Sequence, residues 1–343
     1  MLKTQLKNLN ALLDKISGYS LLYMPLEKAG EANYGLYKQG EKPALGVLKT
    51  VKSPKDLFFP QSETIVKFKT EGKNISVEDI RKETAPFVLL GVKACDFKAF
   101  EVLDRVFLAE PVDTYYQAKR EACTVVTLAC ARPEESCFCK AFGIDAANPA
   151  GDVTMWIDGE NIYWQANTEK GEKLTAAVNA LFGEGGAEEV EKQRKNTREI
   201  IEKLPFSNID LSYFENTETM DIFNRPEWQK LSEACLACGS CTFVCPTCQC
   251  FDIREFKANN NEIIRYRCWD SCMYSDFTQM SHGNNRTTQM QRYRQRFMHK
   301  LVYYPENNEG VFSCVGCGRC VNKCPQRLNI VKVVKTLGGK KND

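Results

Sequence analysis

The sequence predicts an α/β domain over residues 1–222, followed by a smaller α-helical, cysteine-rich domain over residues 223–343. Three observations carry that expectation. Phe87 to Val92 and Thr124 to Leu128 are continuous apolar runs of strand length, and Asp96 to Phe107 between them reads as a helix. Strand, helix, strand at that spacing is a βαβ unit with a parallel pair. Val153 to Ile157 and Ile162 to Trp164 flank Asp158-Gly159, a hairpin signal. Finally, two cysteine runs of identical spacing stand in the last third of the chain.

Taken in order, the chain opens with Leu2, Leu6, Leu9, Leu13 and Ile16, which alternate steps of four and three and share one face of an expected opening helix. That face either docks a partner or packs on its own domain. Thr64 to Phe68 offers a short strand. Residues 171–204 are rich in Ala, Glu, Lys and Leu and are interrupted by Gly183 to Gly186, so two helices are expected there. Residues 205–226 lose periodicity and read as a linker, and a short helix from Glu227 should deliver Cys235. Residues 251–311 separate the two cysteine runs and read as a helical insertion, because they contain the long polar-apolar stretch Gln289 to Tyr304.

The runs are Cys235, Cys238, Cys241, Cys245 with Pro246, and Cys314, Cys317, Cys320, Cys324 with Pro325. Each is the C-x2-C-x2-C-x3-C-P pattern that wraps a 4Fe-4S cluster in bacterial ferredoxins. Three thiolates two residues apart can curl round three corners of one cubane, with Gly239, Gly316 and Gly318 letting the backbone turn closely. The fourth cysteine faces away and serves the other cluster, and the proline turns the chain out of the site. Cys235, Cys238, Cys241 and Cys324 are therefore expected to hold one cluster, and Cys314, Cys317, Cys320 and Cys245 the second. The C-terminal domain becomes a ferredoxin-like two-cluster fold split by the insertion. Structural zinc, which takes two C-x2-C pairs on separate turns, fits this pattern less well.

Nine cysteines remain. Cys95, Cys130, Cys137 and Cys139 follow the two parallel strands, and loops after parallel strands open at one sheet edge, so a third iron-sulfur cluster is expected there; ordinary core packing of free thiols is the alternative. Cys248, Cys250, Cys268 and Cys272 either line a further metal site or shield a cluster, and Cys123 reads as core. Arg286, Arg292, Arg294, Arg296 and Lys300, with His282 and His299 nearby, read as a solvated basic face or as a docking face for an acidic partner.

A net charge of +2 argues against nucleic acid or an anionic membrane as a bulk partner. The N-terminus lacks the apolar core of a secretory signal, and no apolar run reaches membrane-spanning length, so a cytoplasmic protein without membrane insertion is expected. Seventeen cysteines in such a chain suit a reducing, anoxic compartment better than disulfides. No G-x-G-x-x-G follows a strand, so no flavin or nicotinamide site is expected on this chain.

The run Cys235 to Cys250, then Trp269-Asp270-Ser271-Cys272, then Cys314 to Cys320, resembles the β subunit of sulfhydrogenase-type nickel-iron hydrogenases and the iron-sulfur electron-transfer subunit of anaerobic sulfite reductase. The likeness extends upstream through Gly91 to Asp96 and Ser136 to Cys139, and so covers most of the chain. It implies an iron-sulfur component of a multisubunit oxidoreductase that relays electrons between a catalytic partner, of the sulfite reductase, hydrogenase or heterodisulfide reductase type, and an NAD(P)H-linked flavoprotein subunit. It also implies the third cluster at Cys95, Cys130, Cys137 and Cys139. Two other readings stay open: a self-sufficient reductase with a catalytic metal on the extra cysteines, and a cluster-bearing redox sensor or scaffold.

Overall fold

The computed structural model describes residues 1–80 and 83–338. The N-terminal part contains β1 (Leu2–Gln5), α1 (Leu9–Tyr19), β2 (Leu21–Lys28), β3 (Glu31–Leu36), β4 (Ser62–Glu71) and β5 (Asn74–Asp79). It continues with β6 (Phe87–Val92), α2 (Ala94–Phe107), α3 (Thr114–Ala122), β7 (Cys123–Leu128), β8 (Val153–Asp158), β9 (Asn161–Ala166), α4 (Glu169–Val178), β10 (Gly183–Glu184) and α5 (Ala187–Glu202). Eight strands form one sheet in the order β10-β1-β9-β8-β7-β6-β2-β3. Its centre, β2, β6, β7 and β8, is parallel, while the flanks pair antiparallel. Every residue of β6 is buried, as a strand covered on both faces must be. The βαβ unit, the hairpin β8–β9 and the two helices α4 and α5 stand where the sequence predicts them.

The opening helix starts later than its leucine spacing suggests. Leu2 belongs to β1, whose backbone groups pair with β9 and β10, so the ladder claims residues that a helix would otherwise use. Leu12, Leu13 and Ile16 of α1 are buried in the sheet's core, so the stripe packs on its own domain.

The C-terminal part contains α6 (Ser212–Asn216), α7 (Thr219–Phe223), α8 (Glu227–Ser232), α9 (Ser240–Phe243), β11 (Phe251–Asn259), β12 (Glu262–Trp269), β13 (Gln279–Met280), β14 (Gly283–Asn284), α10 (Gln289–Met298), α11 (Tyr304–Asn307), α12 (Arg319–Lys323) and α13 (Ile330–Gly338). Two expectations are corrected here. Residues 205–226 are not a bare linker: Leu211, Phe214 and Ile222 are buried with Trp228, Phe297 and Leu337 in the C-terminal core. Helices of five residues are too short to show a period, and a divide at 222/223 would cut through α7.

The insertion over 251–311 is not wholly helical either. Its first half is the long hairpin β11–β12, and β12 pairs antiparallel with β4 from Glu262↔Lys69 to Cys268↔Ser62, giving a four-stranded sheet β11-β12-β4-β5. Arg267 of β12 is buried beneath this sheet and forms ion pairs with Glu63 and Asp113. Trp269 stacks on Phe59 at 5.9 Å and donates its indole N–H to the Phe59 carbonyl at 3.0 Å. The two halves of the chain thus share a sheet.

Candidate metal centre

In the first cysteine run, α8 delivers Cys235 and a turn at Gly239, with φ of 71°, starts α9. Cys235, Cys238, Cys241 and Cys324 line one cavity, together with Tyr293, Arg296 and Phe297 of α10. Three of these sulfurs have polar neighbours: Gln289 Nε2 donates to Cys235 Sγ at 3.4 Å, the Leu328 amide to Cys324 Sγ at 3.2 Å, and Cys238 Sγ lies 3.4 Å from Ser240 Oγ. Cys238 is exposed, and the Ser240 hydroxyl and amide hold its thiol below the usual range. Neighbouring Leu236 is 61% exposed.

The second run lies deeper. Cys245, Cys314, Cys317 and Cys320 line a second cavity with Phe138, Arg296 and Lys300. Lys300 Nζ donates to Thr247 Oγ1 at 2.8 Å and to the Ser313 carbonyl at 3.1 Å, and Thr247 Oγ1 lies 3.3 Å from Cys245 Sγ. Burial pushes the Cys317 thiol up to about 12 and raises Cys314 too. The structure brings Cys324 to the cavity of the first triplet and Cys245 to that of the second.

Cys95, Cys130, Cys137 and Cys139 line a third cavity with Lys49, Lys93, Gly316 and Cys317. Cys95 stands in the first turn of α2 just past β6, and Cys130 just past β7, at the carboxyl edge of the parallel strands. This edge is locked to the second run. The Phe138 amide donates to the Gly316 carbonyl at 2.9 Å. A Cβ on Gly316 would come within 2.4 Å of the Phe138 backbone, and one on Gly318 within 2.3 Å of the Ser136 carbonyl oxygen. The close approach of protein backbone therefore requires glycine at both positions. Arg319 and Asp96, both buried, pair at 2.6 and 2.8 Å, and Arg319 Nε donates to the Thr50 carbonyl at 3.1 Å.

Does this chemistry suit iron-sulfur clusters? Buried charge is normally paired. Arg296 and Lys300 are buried and, among the described residues, have no carboxylate partner; their charges are felt chiefly by cysteine sulfurs. Arg296 Nε and Nη1 and the Tyr293 hydroxyl are buried and have no hydrogen-bond partner among the described residues. A cluster with four thiolates carries net negative charge and presents sulfur acceptors, so it meets both needs.

The remaining cysteines divide. Cys250 and Cys272 are in thiol-to-thiol contact, as are Cys245 and Cys248. Cys268 stands apart, beside Arg254 and Asp252, and Cys123 is core. The basic stretch is not one face: Arg294 lies over the Phe223 ring, Arg292 bonds Gln289 and the Arg286 carbonyl, and Arg296 and Lys300 turn inward. Sequence reasoning missed these two as site residues. The available signal was the stripe Tyr293, Phe297, Leu301 at steps of four, which places Arg296 and Lys300 beside an apolar face.

Residues 234–328 match the family described as a 4Fe-4S dicluster domain. The class is thus an iron-sulfur, electron-transferring subunit of an oxidoreductase. The chain is 31% identical over 300 residues to sulfhydrogenase 2 subunit beta of Pyrococcus furiosus, across 85% of this chain and 84% of that one. It belongs to the sulfhydrogenase beta-subunit family. Among the described residues, no helix is long and apolar enough to cross a membrane.

Proposed function

We propose that the chain is a cytoplasmic relay that passes single electrons between a catalytic subunit, of the hydrogenase, anaerobic sulfite reductase or heterodisulfide reductase type, and an NAD(P)H-linked flavoprotein subunit. In this reading Cys235, Cys238, Cys241 and Cys324 hold one 4Fe-4S cluster, Cys314, Cys317, Cys320 and Cys245 a second, and Cys95, Cys130, Cys137 and Cys139 a third iron-sulfur cluster. No flavin is assigned to this chain.

Contiguity of the three cavities carries the reading. Cys317 borders both the third cavity and the second, and Arg296 borders both the second and the first. The line runs from the buried sheet edge to the exposed Cys238 and Leu236, where a partner could approach. Bound clusters supply one-electron redox chemistry with every iron site closed by thiolate. The chain's own residues exclude water through Phe138, Phe297 and Val315, supply cations through Lys49, Lys93, Arg296 and Lys300, and donate hydrogen bonds to sulfur from Gln289 and the Leu328 amide. Such neighbours set potential.

Anaerobically purified protein should contain about twelve irons per chain with matching labile sulfide where the third cluster is 4Fe-4S, or about ten where it is 2Fe-2S; about eight would remove the third cluster. Cys317→Ser should abolish electron flow between the flavoprotein and the catalytic partner, and undiminished flow would overturn the relay.

A further inference from the structure

Arg296 occupies the wall between the two ferredoxin cavities. It is 2% exposed, and the Phe297 ring centroid lies 4.5 Å from its guanidinium carbon. One nitrogen, Nη2, donates to the Cys241 carbonyl at 3.1 Å. The other two, Nε and Nη1, are buried and have no partner among the described residues. Its charge acts on Cys241 from the first cysteine set, on Cys320 and Cys245 from the second, and on Cys248 beside them.

Leaving two donors of a buried cation unmade is costly, and such a group persists where an acceptor meets it. The groups available on both sides of Arg296 are sulfurs. We propose that Arg296 is a positioning residue shared by the two clusters: Nε and Nη1 donate to cluster sulfur, and the single positive charge favours the reduced form on either side. This rests on the two-cluster reading of the ferredoxin-like domain. Reduction adds one negative charge to a cluster, so a fixed cation at the partition raises both potentials together and keeps electron exchange between them near balance. A charge placed at one cluster alone would separate the two potentials and slow transfer in one direction.

The test is a redox titration, followed by electron paramagnetic resonance, of the full chain purified anaerobically, with iron counted on the same samples. In Arg296→Gln, which keeps a polar side chain but removes the charge, both ferredoxin couples should move to lower potential. The expected size is about tenfold in each reduction equilibrium, which is about 59 mV for one electron. Arg296→Lys restores the charge without the planar fork and should recover part of both shifts. Arg294→Gln, on the same helix but bonded to the Phe223 carbonyl, stacked on the Phe223 ring and lining neither cavity, should leave both where they are. If Arg296→Gln does not retain iron, the same titration of Arg296→Lys decides. A shift of one couple alone, or of neither, with full iron overturns the proposal. Wild-type protein with too little iron for two clusters in this domain overturns the two-cluster reading instead.

Discussion

The two cysteine runs have the same spacing and very different surroundings. The first sits at the surface: Cys238 is exposed, and the turn at Gly239 faces the side chain of Tyr274. The second is wedged between the ferredoxin-like core and the 136–139 segment, with backbone against backbone at Gly316 and Gly318 and a buried Arg319–Asp96 pair beneath it. A motif sets how thiolates reach a cluster, while its neighbours set whether that cluster can be touched. One run presents a cysteine at the surface, and the other is enclosed by the rest of the chain.

That contrast can be broken by mutation. The largest effect should come from Arg319→Ala, which leaves Asp96 as an unpaired buried carboxylate; a loss of about 3–5 kcal/mol is expected, read by anaerobic chemical denaturation. Ser240→Ala in the equivalent turn of the first run should cost under about 1 kcal/mol, since its hydroxyl meets only an exposed thiol. Next come the glycines. Gly318→Ala combines a φ of 75° with a contact to the Ser136 carbonyl that cannot move aside, so about 2–3 kcal/mol should be lost in the same measurement. Gly239→Ala carries the strain of its φ, but Tyr274 is half-buried and can swing away, leaving about 1 kcal/mol.

The cationic wall of the second cavity should also leave a mark in acid. His299 precedes Lys300, and burial together with Lys300 and Arg286 holds its imidazole down to about 4, below the ordinary value of 6.5. Between those values the unfolded chain binds a proton that the folded chain does not. Stability should therefore be intact above about pH 6.5 and fall as the pH drops toward 4, by about 2 kcal/mol at pH 5. His299→Gln should flatten that slope in denaturation series at pH 7 and pH 5. The smallest effect is kinetic: a chelator added to the reduced protein should strip iron from the first cavity a few times faster than from the second, resolved by their separate resonance signals, because only the first presents an exposed cysteine.

What could be read ahead of the structure was local or repetitive. The cysteine spacing, the buried strand from Phe87 and the hairpin at Gly159 are each complete within a few residues. Even Cys95, Cys130, Cys137 and Cys139 could be grouped, because loops after parallel strands share an edge. The misses depended on distant partners. Residues 251–254 and 264–268 alternate apolar and charged side chains about a turn at Asn259 to Asn261, yet their pairing is decided by β4, far upstream. For Arg296 the local sign was only the apolar stripe beside it; an arginine's usual place is solvent, and what justifies its burial is sulfur brought in from two other segments.

The sheet shared by β4 and β12 has a consequence for how the protein is made. Strand β4 leaves the ribosome roughly two hundred residues before the strand that covers its edge. During that interval β4 lacks this neighbour, and an unpaired strand edge is a place where chains associate. Closing it requires β12, which lies between the two cysteine runs, so the edge is sealed only when that part of the chain is present. The four-stranded sheet is therefore completed only after the first cysteine run has been made, and a chain truncated before Glu262 would leave the β4 edge open and lack the second run as well.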